Sequence, residues 1–81
     1  MSDEKSYRAV VDKVVNGKHG AYAVTRADGL KGSVTFSLDE TVWQSGDRPE
    51  PGTLVLLSMI RKKRAGWRAQ RARVIGPSDE Q

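Results

Sequence analysis

Apolar and polar residues alternate along this chain in short stretches separated by glycine, proline, asparagine and aspartate. The two-residue period is that of half-buried strands, not the longer period of amphipathic helices. Residues 7–15, rich in valine, are expected as a first strand, and Asn16-Gly17 follows as a turn signal because both residues tolerate positive φ. Residues 20–26 form the second expected strand, with small side chains at Ala21 and Ala23, and Asp28-Gly29 marks the next turn. In the third, 32–37, Val34 and Phe36 share one face and Thr35 takes the other.

The period then breaks. Ser37-Leu38-Asp39-Glu40 has the spacing of a capping box, in which the Ser37 hydroxyl and the Glu40 side chain bond reciprocally to each other's backbone amides. It predicts a short helix over 38–44, stopped at Gly46, with Trp43 plugging the barrel bottom against Leu38. Pro49 and Pro51 cannot donate ladder hydrogen bonds, so 48–52 is a stiff loop. A long fourth strand is expected at 53–62, a turn at Ala65-Gly66 and a fifth strand at 67–75. This order predicts an all-β fold: a small five-stranded OB-type barrel with a short helix between strands 3 and 4. An SH3-like barrel is the rival, and the helix favours OB. One domain is expected over 7–75, with flexible tails at 1–6 and 76–81.

Two elements carry a family resemblance. Gly32-Ser33-Val34-Thr35-Phe36-Ser37 resembles the G-L-V-H-I-S element of the ribosomal-protein-S-one type of RNA-binding domain. Gly20-Ala21-Tyr22 stands where that family has a Gly-Ala-aromatic strand, and Pro51-Gly52-Thr53-Leu54-Val55 resembles its loop into the fourth strand. Cold-shock domains share a related V-H-F-S element and an alanine-valine pattern on the last strand, similar to Ala72 and Val74 here. The resemblance covers about 7–75 and implies an OB-fold RNA-binding domain linked to translation or RNA chaperoning, with RNA or single-stranded DNA, and the ribosome, as partners. Thr35 stands where both families have a histidine; it can hydrogen-bond but cannot stack on a base, which shifts the weight of binding toward electrostatics.

The charge distribution points the same way. The formal net charge is +4 and the isoelectric point near 9.8. Seven of the 14 basic residues fall between Arg61 and Arg73, where there is no acid. Such self-repulsion is relieved by a bound anion, of which nucleic-acid backbone is the commonest; the plainer reading is a solvated charged hairpin. Strict alternation places Trp67, Ala69, Arg71 and Arg73 on the outer side of the fifth strand and Gln70, Ala72 and Val74 inside. The candidate nucleic-acid-binding set is therefore Tyr22, Arg26, Thr35, Arg61, Lys62, Lys63, Arg64, Trp67, Arg71 and Arg73. Arginine pairs with phosphate or stacks on bases, and Tyr22 and Trp67 offer flat faces to unstacked bases. Against this, Trp67 beside a turn can equally cover the barrel end. Lys18 and Lys31, in the first two loops, would extend the same positive field.

No other chemistry emerges. His19 is the only histidine and there is no cysteine, so no metal or cofactor site is expected. Asp39-Glu40 suits a helix N-terminus without catalysis. Ser33, Ser37 and Ser58 have no base in sequence proximity, and the glycines form no phosphate loop, so no enzyme is expected. The acidic, polar N-terminal stretch and the short apolar runs fit a cytoplasmic monomer that does not engage membrane. The competing function is a protein-interaction adaptor whose basic hairpin docks on an acidic partner.

Overall fold

The computed structural model describes residues 5–64 and 66–75. Five strands, β1 (Ser6–Gly17), β2 (Gly20–Ala27), β3 (Ser33–Ser37), β4 (Leu54–Lys63) and β5 (Gly66–Val74), close into a barrel in the order β1-β2-β3-β5-β4. The protein is thus a small all-β closed barrel, consistent with an OB-like one. All pairings are antiparallel except β3–β5, where Val34 faces Trp67 and Thr35 faces Arg68 in parallel. Closure leaves no long free sheet edge, a protection against edge-to-edge association in so short a chain. The described residues include no helix long and apolar enough to cross a membrane.

Alternation sends Ala9, Val11, Ala23, Thr25, Val34, Phe36, Val55 and Leu57 into the core, where Ala69 and Ala72 join them. Alanine recurs because five strands converge on a narrow interior, and larger side chains at every inward position would overpack it. Thr25, fully buried, donates its hydroxyl to the Val34 carbonyl at 2.8 Å, so its polar atom has a partner. At Asp12 the β1–β2 register shifts by one residue, a bulge that bends β1 so that it can pair with β2 along one stretch and β4 along another.

The helix expected at 38–44 does not form. Ser37 Oγ accepts from the Asp39 amide at 3.1 Å, one residue short of the capping-box partner Glu40. Asp39 Oδ1 accepts from both the amide and the hydroxyl of Thr41, an Asx-type turn that competes with helix. Val42 and Trp43 donate to the Asp39 carbonyl, closing one turn and no more. The chain is then drawn out along β5: Ala72 donates to the Val42 carbonyl, Gln44 donates to that of Ala72, and Trp43 bridges Ala72 in parallel. Propagation from a single turn is weak, and pairing to an existing strand wins. Trp43 nevertheless takes the core position expected of it. It is 5% exposed, stacks on Phe36 with ring centroids 5.3 Å apart, and donates its indole N–H to the Asp47 carbonyl at 2.8 Å.

Two turns also differ from expectation. Asn16 and Gly17 pair within the ladder, opposite Ala21 and Gly20, so the β1–β2 turn falls two residues later, on Lys18-His19. Of the expected Ala65-Gly66 turn, Ala65 lies outside the described residues and Gly66 already pairs with Lys63. The Asp28-Gly29 turn is as expected. Glu50-Pro51-Gly52-Thr53 is a β-turn closed by the Thr53 amide on the Glu50 carbonyl at 3.0 Å, with Gly52 at φ +90, the combination that proline followed by glycine favours. The expected tails fall on 1–6 and 76–81; residues 1–4 and 76–81 lie outside the described residues, and Ser6 is strand, paired with Ser58.

Candidate nucleic-acid interface

The strongest departure from simple alternation lies on the two basic strands. Ala69 and Ala72 are both buried although three residues apart, as are Leu57 and, largely, Ile60 on the facing strand. The β4–β5 pairing is in one register throughout, yet both strands switch faces where Met59 lies opposite Gln70. Met59 adopts φ +54, a left-handed conformation unusual for a non-glycine residue, and this rotates the chain by one face.

That switch turns Trp67 and Ala69 inward, against the expectation that they share the outer face with Arg71 and Arg73. Trp67 packs on the core, donates its indole N–H to the Lys31 carbonyl at 2.8 Å, and has the Lys62 ammonium over its ring at 5.9 Å. The covering role, not the open platform, is what the geometry gives Trp67. Arg68, which strict alternation assigns to the interior, points outward beside Thr35.

The outward residues now form a row across all five strands. Lys13 on β1 faces Val24 on β2, Val24 faces Thr35 on β3, Thr35 faces Arg68 on β5, and Arg68 faces Arg61 on β4. The row holds three cations and no acid. Arg61 and Arg68 stand directly opposite each other, a like-charge pair that opposes folding unless an anion lies between them. Arg61 opens the run Arg61-Lys62-Lys63-Arg64, whose side chains are all exposed at the end of the β4–β5 hairpin.

Tyr22 lies on the same outer surface one row away, opposite Ser37 and half-buried. A side chain at Gly17 would come within 3.1 Å of Tyr22 Cε1, so this glycine leaves the space that the ring occupies. Gly17, Lys18, His19, Tyr22, Ser37 and Arg68 line a cleft of about 220 Å³ between the β1–β2 turn and β5. It unites an aromatic ring, a hydroxyl and two cations, the components of a site for a base with its phosphate. Thr35 directs its hydroxyl to the Trp67 carbonyl at 3.5 Å, which helps tie β3 to β5.

The other expected residues are placed elsewhere. Arg26 is exposed but pairs with Asp12 at 3.2 Å, toward the opposite end of β2 from Tyr22. Arg71 and Arg73 lie on the outer surface of β5 opposite Ser58 and Leu56, away from β3. The sequence-based set therefore divides: Tyr22, Thr35, Arg61, Lys62, Lys63 and Arg64 stay together, Arg68, Lys13 and Ser37 join them, and Arg71 and Arg73 leave. The signal for Arg68 was the spacing Trp67, Ala69, Ala72, whose apolar phase slips by one residue at Gln70-Arg71. Among the described residues, no three of His, Cys, Asp and Glu converge as a metal site.

Comparison with known protein families, with curated proteins and with solved structures finds no match for this chain.

Proposed function

We propose that this protein is an OB-type, non-catalytic module that binds RNA or single-stranded nucleic acid across the outer face of β2, β3 and the β4–β5 hairpin. The observation that carries the reading is the acid-free row Lys13–Val24–Thr35–Arg68–Arg61, continuous with the Arg61–Arg64 run and adjacent to Tyr22. Phosphates relieve the opposed guanidinium groups of Arg61 and Arg68, while Tyr22 stacks on one unpaired base in the cleft it shares with Arg68. Few groups are placed to read base edges, so sequence preference is weak and phosphate contacts dominate. The resemblance of the Gly32–Ser37 element to S-one and cold-shock domains agrees with this reading and suggests a role in translation or RNA chaperoning.

Titration with oligouridylate, followed by backbone amide shifts, tests it. Shifts are expected at Tyr22, Thr35, Arg61 and Arg68. No shift at about 100 mM salt and high micromolar RNA would overturn it, since even non-specific binding registers there. Binding instead to a polyglutamate peptide through the hairpin alone would identify an adaptor for acidic proteins.

A further inference from the structure

A second outward face has a different chemistry. On the side where β1, β4 and β5 lie together, three rows cross the sheet: Ser6–Ser58–Arg71, Arg8–Leu56–Arg73 and Val10–Leu54, the last continued by Ile75, whose amide donates to the Leu54 carbonyl at 3.1 Å. These nine positions grade from polar to aliphatic and carry three arginines, no lysine, no aromatic residue and no acid. Val10 and Leu54, direct neighbours, are 41% and 45% exposed, large values for aliphatic side chains on adjoining strands. Two clefts flank the face. One, of about 170 Å³, is lined by Val10, Leu54 and Ile75 together with Arg8, Arg26 and Asp28; the other, of about 230 Å³, is lined by Ser58, Arg71 and Gln44 among others.

We propose that this face docks an acidic amphipathic helix of a partner protein, independently of the nucleic-acid interface. Charge selects the occupant. A second copy of this chain related by a two-fold axis would set arginine against arginine, which disfavours self-association. Nucleic acid would find phosphate contacts but no ring on which to stack, and it would leave the aliphatic row in water. A helix with leucines on one stripe and carboxylates along its flank satisfies both parts. Three strands spaced about 4.8 Å apart give a face roughly as wide as a helix. With its axis along the strands, the helix covers Val10, Leu54 and Ile75 with leucines on one turn while carboxylates on the next turn meet Arg8 in the adjacent row. Arginine, not lysine, is the cation enriched in such interfaces, where its planar group pairs with carboxylate in bidentate fashion.

The test uses the full chain and three blocked peptides of about five helical turns. The first has a leucine stripe flanked by glutamates, the second replaces the glutamates by lysines, and the third replaces the leucines by serines. Titrated to about 0.5 mM, a range that registers weak binding, the first peptide is expected to shift the amides of Arg8, Val10, Leu54, Leu56 and Ile75. The other two are expected not to do so. Val10→Ser with Leu54→Ser should weaken the first peptide at least about tenfold while thermal unfolding confirms the fold; Arg68→Ala should leave it unchanged. An absence of shifts with the first peptide, equal shifts with the lysine peptide, or a response of these amides to oligouridylate in place of peptide would each overturn the proposal. Failure here leaves the nucleic-acid reading standing, and the reverse also holds, because the two faces are read by different amides.

Discussion

Replacing Arg61 and Arg68 together by alanine separates binding from folding. The two residues stand directly opposite in the β4–β5 ladder, in line with Thr35 and Val24. Opposed like charges work against the folded state, so the double variant should melt at or slightly above the parent temperature. Binding should move the other way. Each cation that neutralises a phosphate on a single strand contributes about 0.7 to the slope of log Kobs against log salt. With Arg61, Lys62, Lys63, Arg64 and Arg68 each engaging one phosphate, the slope is about −3.5, and the variant's falls to about −2. Between about 50 and 200 mM salt the parent then loses roughly 100-fold in affinity and the variant roughly 20-fold. Fluorescence anisotropy with labelled oligouridylate at several salt concentrations reads both quantities. The matched control is Arg71→Ala with Arg73→Ala, which removes the same charge from the β1–β4–β5 face and should leave the slope near the parent's. Equal slopes for parent and Arg61/Arg68 variant would refute the assignment of phosphates to this face. Equal losses in the two double variants would show that net charge, not geometry, governs binding.

Trp43→Ala should cost about 3–5 kcal/mol, because it empties a buried site, removes the stack on Phe36 and leaves the Asp47 carbonyl without its indole donor. For a domain of this size that is most of the total stability, so far-UV circular dichroism should show no folded baseline at 37 °C, about body temperature; a melting temperature within a few degrees of the parent would contradict the plug. Gly66→Ala should unlatch β3 from β5, since Gly66 has φ +129 and an added Cβ would lie 2.6 Å from the Ser33 carbonyl oxygen, against backbone that cannot swing away; loss of amide protection at Trp67 and Arg68 in hydrogen exchange checks it. Met59→Gly should stabilise by roughly 0.5–1 kcal/mol, the left-handed penalty relieved less the entropy cost of glycine, and a urea midpoint below the parent's would show that the Met59 side chain contributes more than its backbone costs.

Much of the architecture was legible because barrel strands are local patterns. Every strand in the sequence reading lies within two residues of the observed one, since β-branched runs bounded by glycine and aspartate are their own signal. The insert after β3 was not. Ser37 and Glu40 satisfy a helix-start rule, but Asp39 captures Thr41 and the edge of β5 captures Val42 and Gln44, and the second event depends on a strand nearly 30 residues away. Local rules weigh the capping box without weighing that competitor. The turn after β1 was misplaced for a similar reason: Asn16-Gly17 is a good turn pair, yet the two-residue loop is Lys18-His19, with glycines at the paired positions that flank it. On the site, Tyr22, Thr35 and Arg61 were legible from pattern and resemblance, whereas Arg68 was hidden by an assumption of unbroken alternation.

That assumption matters more than one residue. With unbroken alternation β5 would present Trp67, Arg71 and Arg73 as one surface and bury Arg68. A desolvated guanidinium in an alanine-lined interior without a carboxylate partner would be too costly for so small a core. The face switch at Met59 and Gln70 resolves the conflict: it keeps Ala69 and Ala72 inside, turns Arg68 out toward Thr35, and leaves Arg71 and Arg73 over β4 and β1. One segment of sequence therefore supplies charge to two surfaces with unlike neighbours, hydroxyls and a tyrosine on one and exposed aliphatics on the other. The neighbours, not the arginines, distinguish the proposed ligands. The left-handed residue at position 59 is thus the point in the chain where one run of positive charge divides between two surfaces.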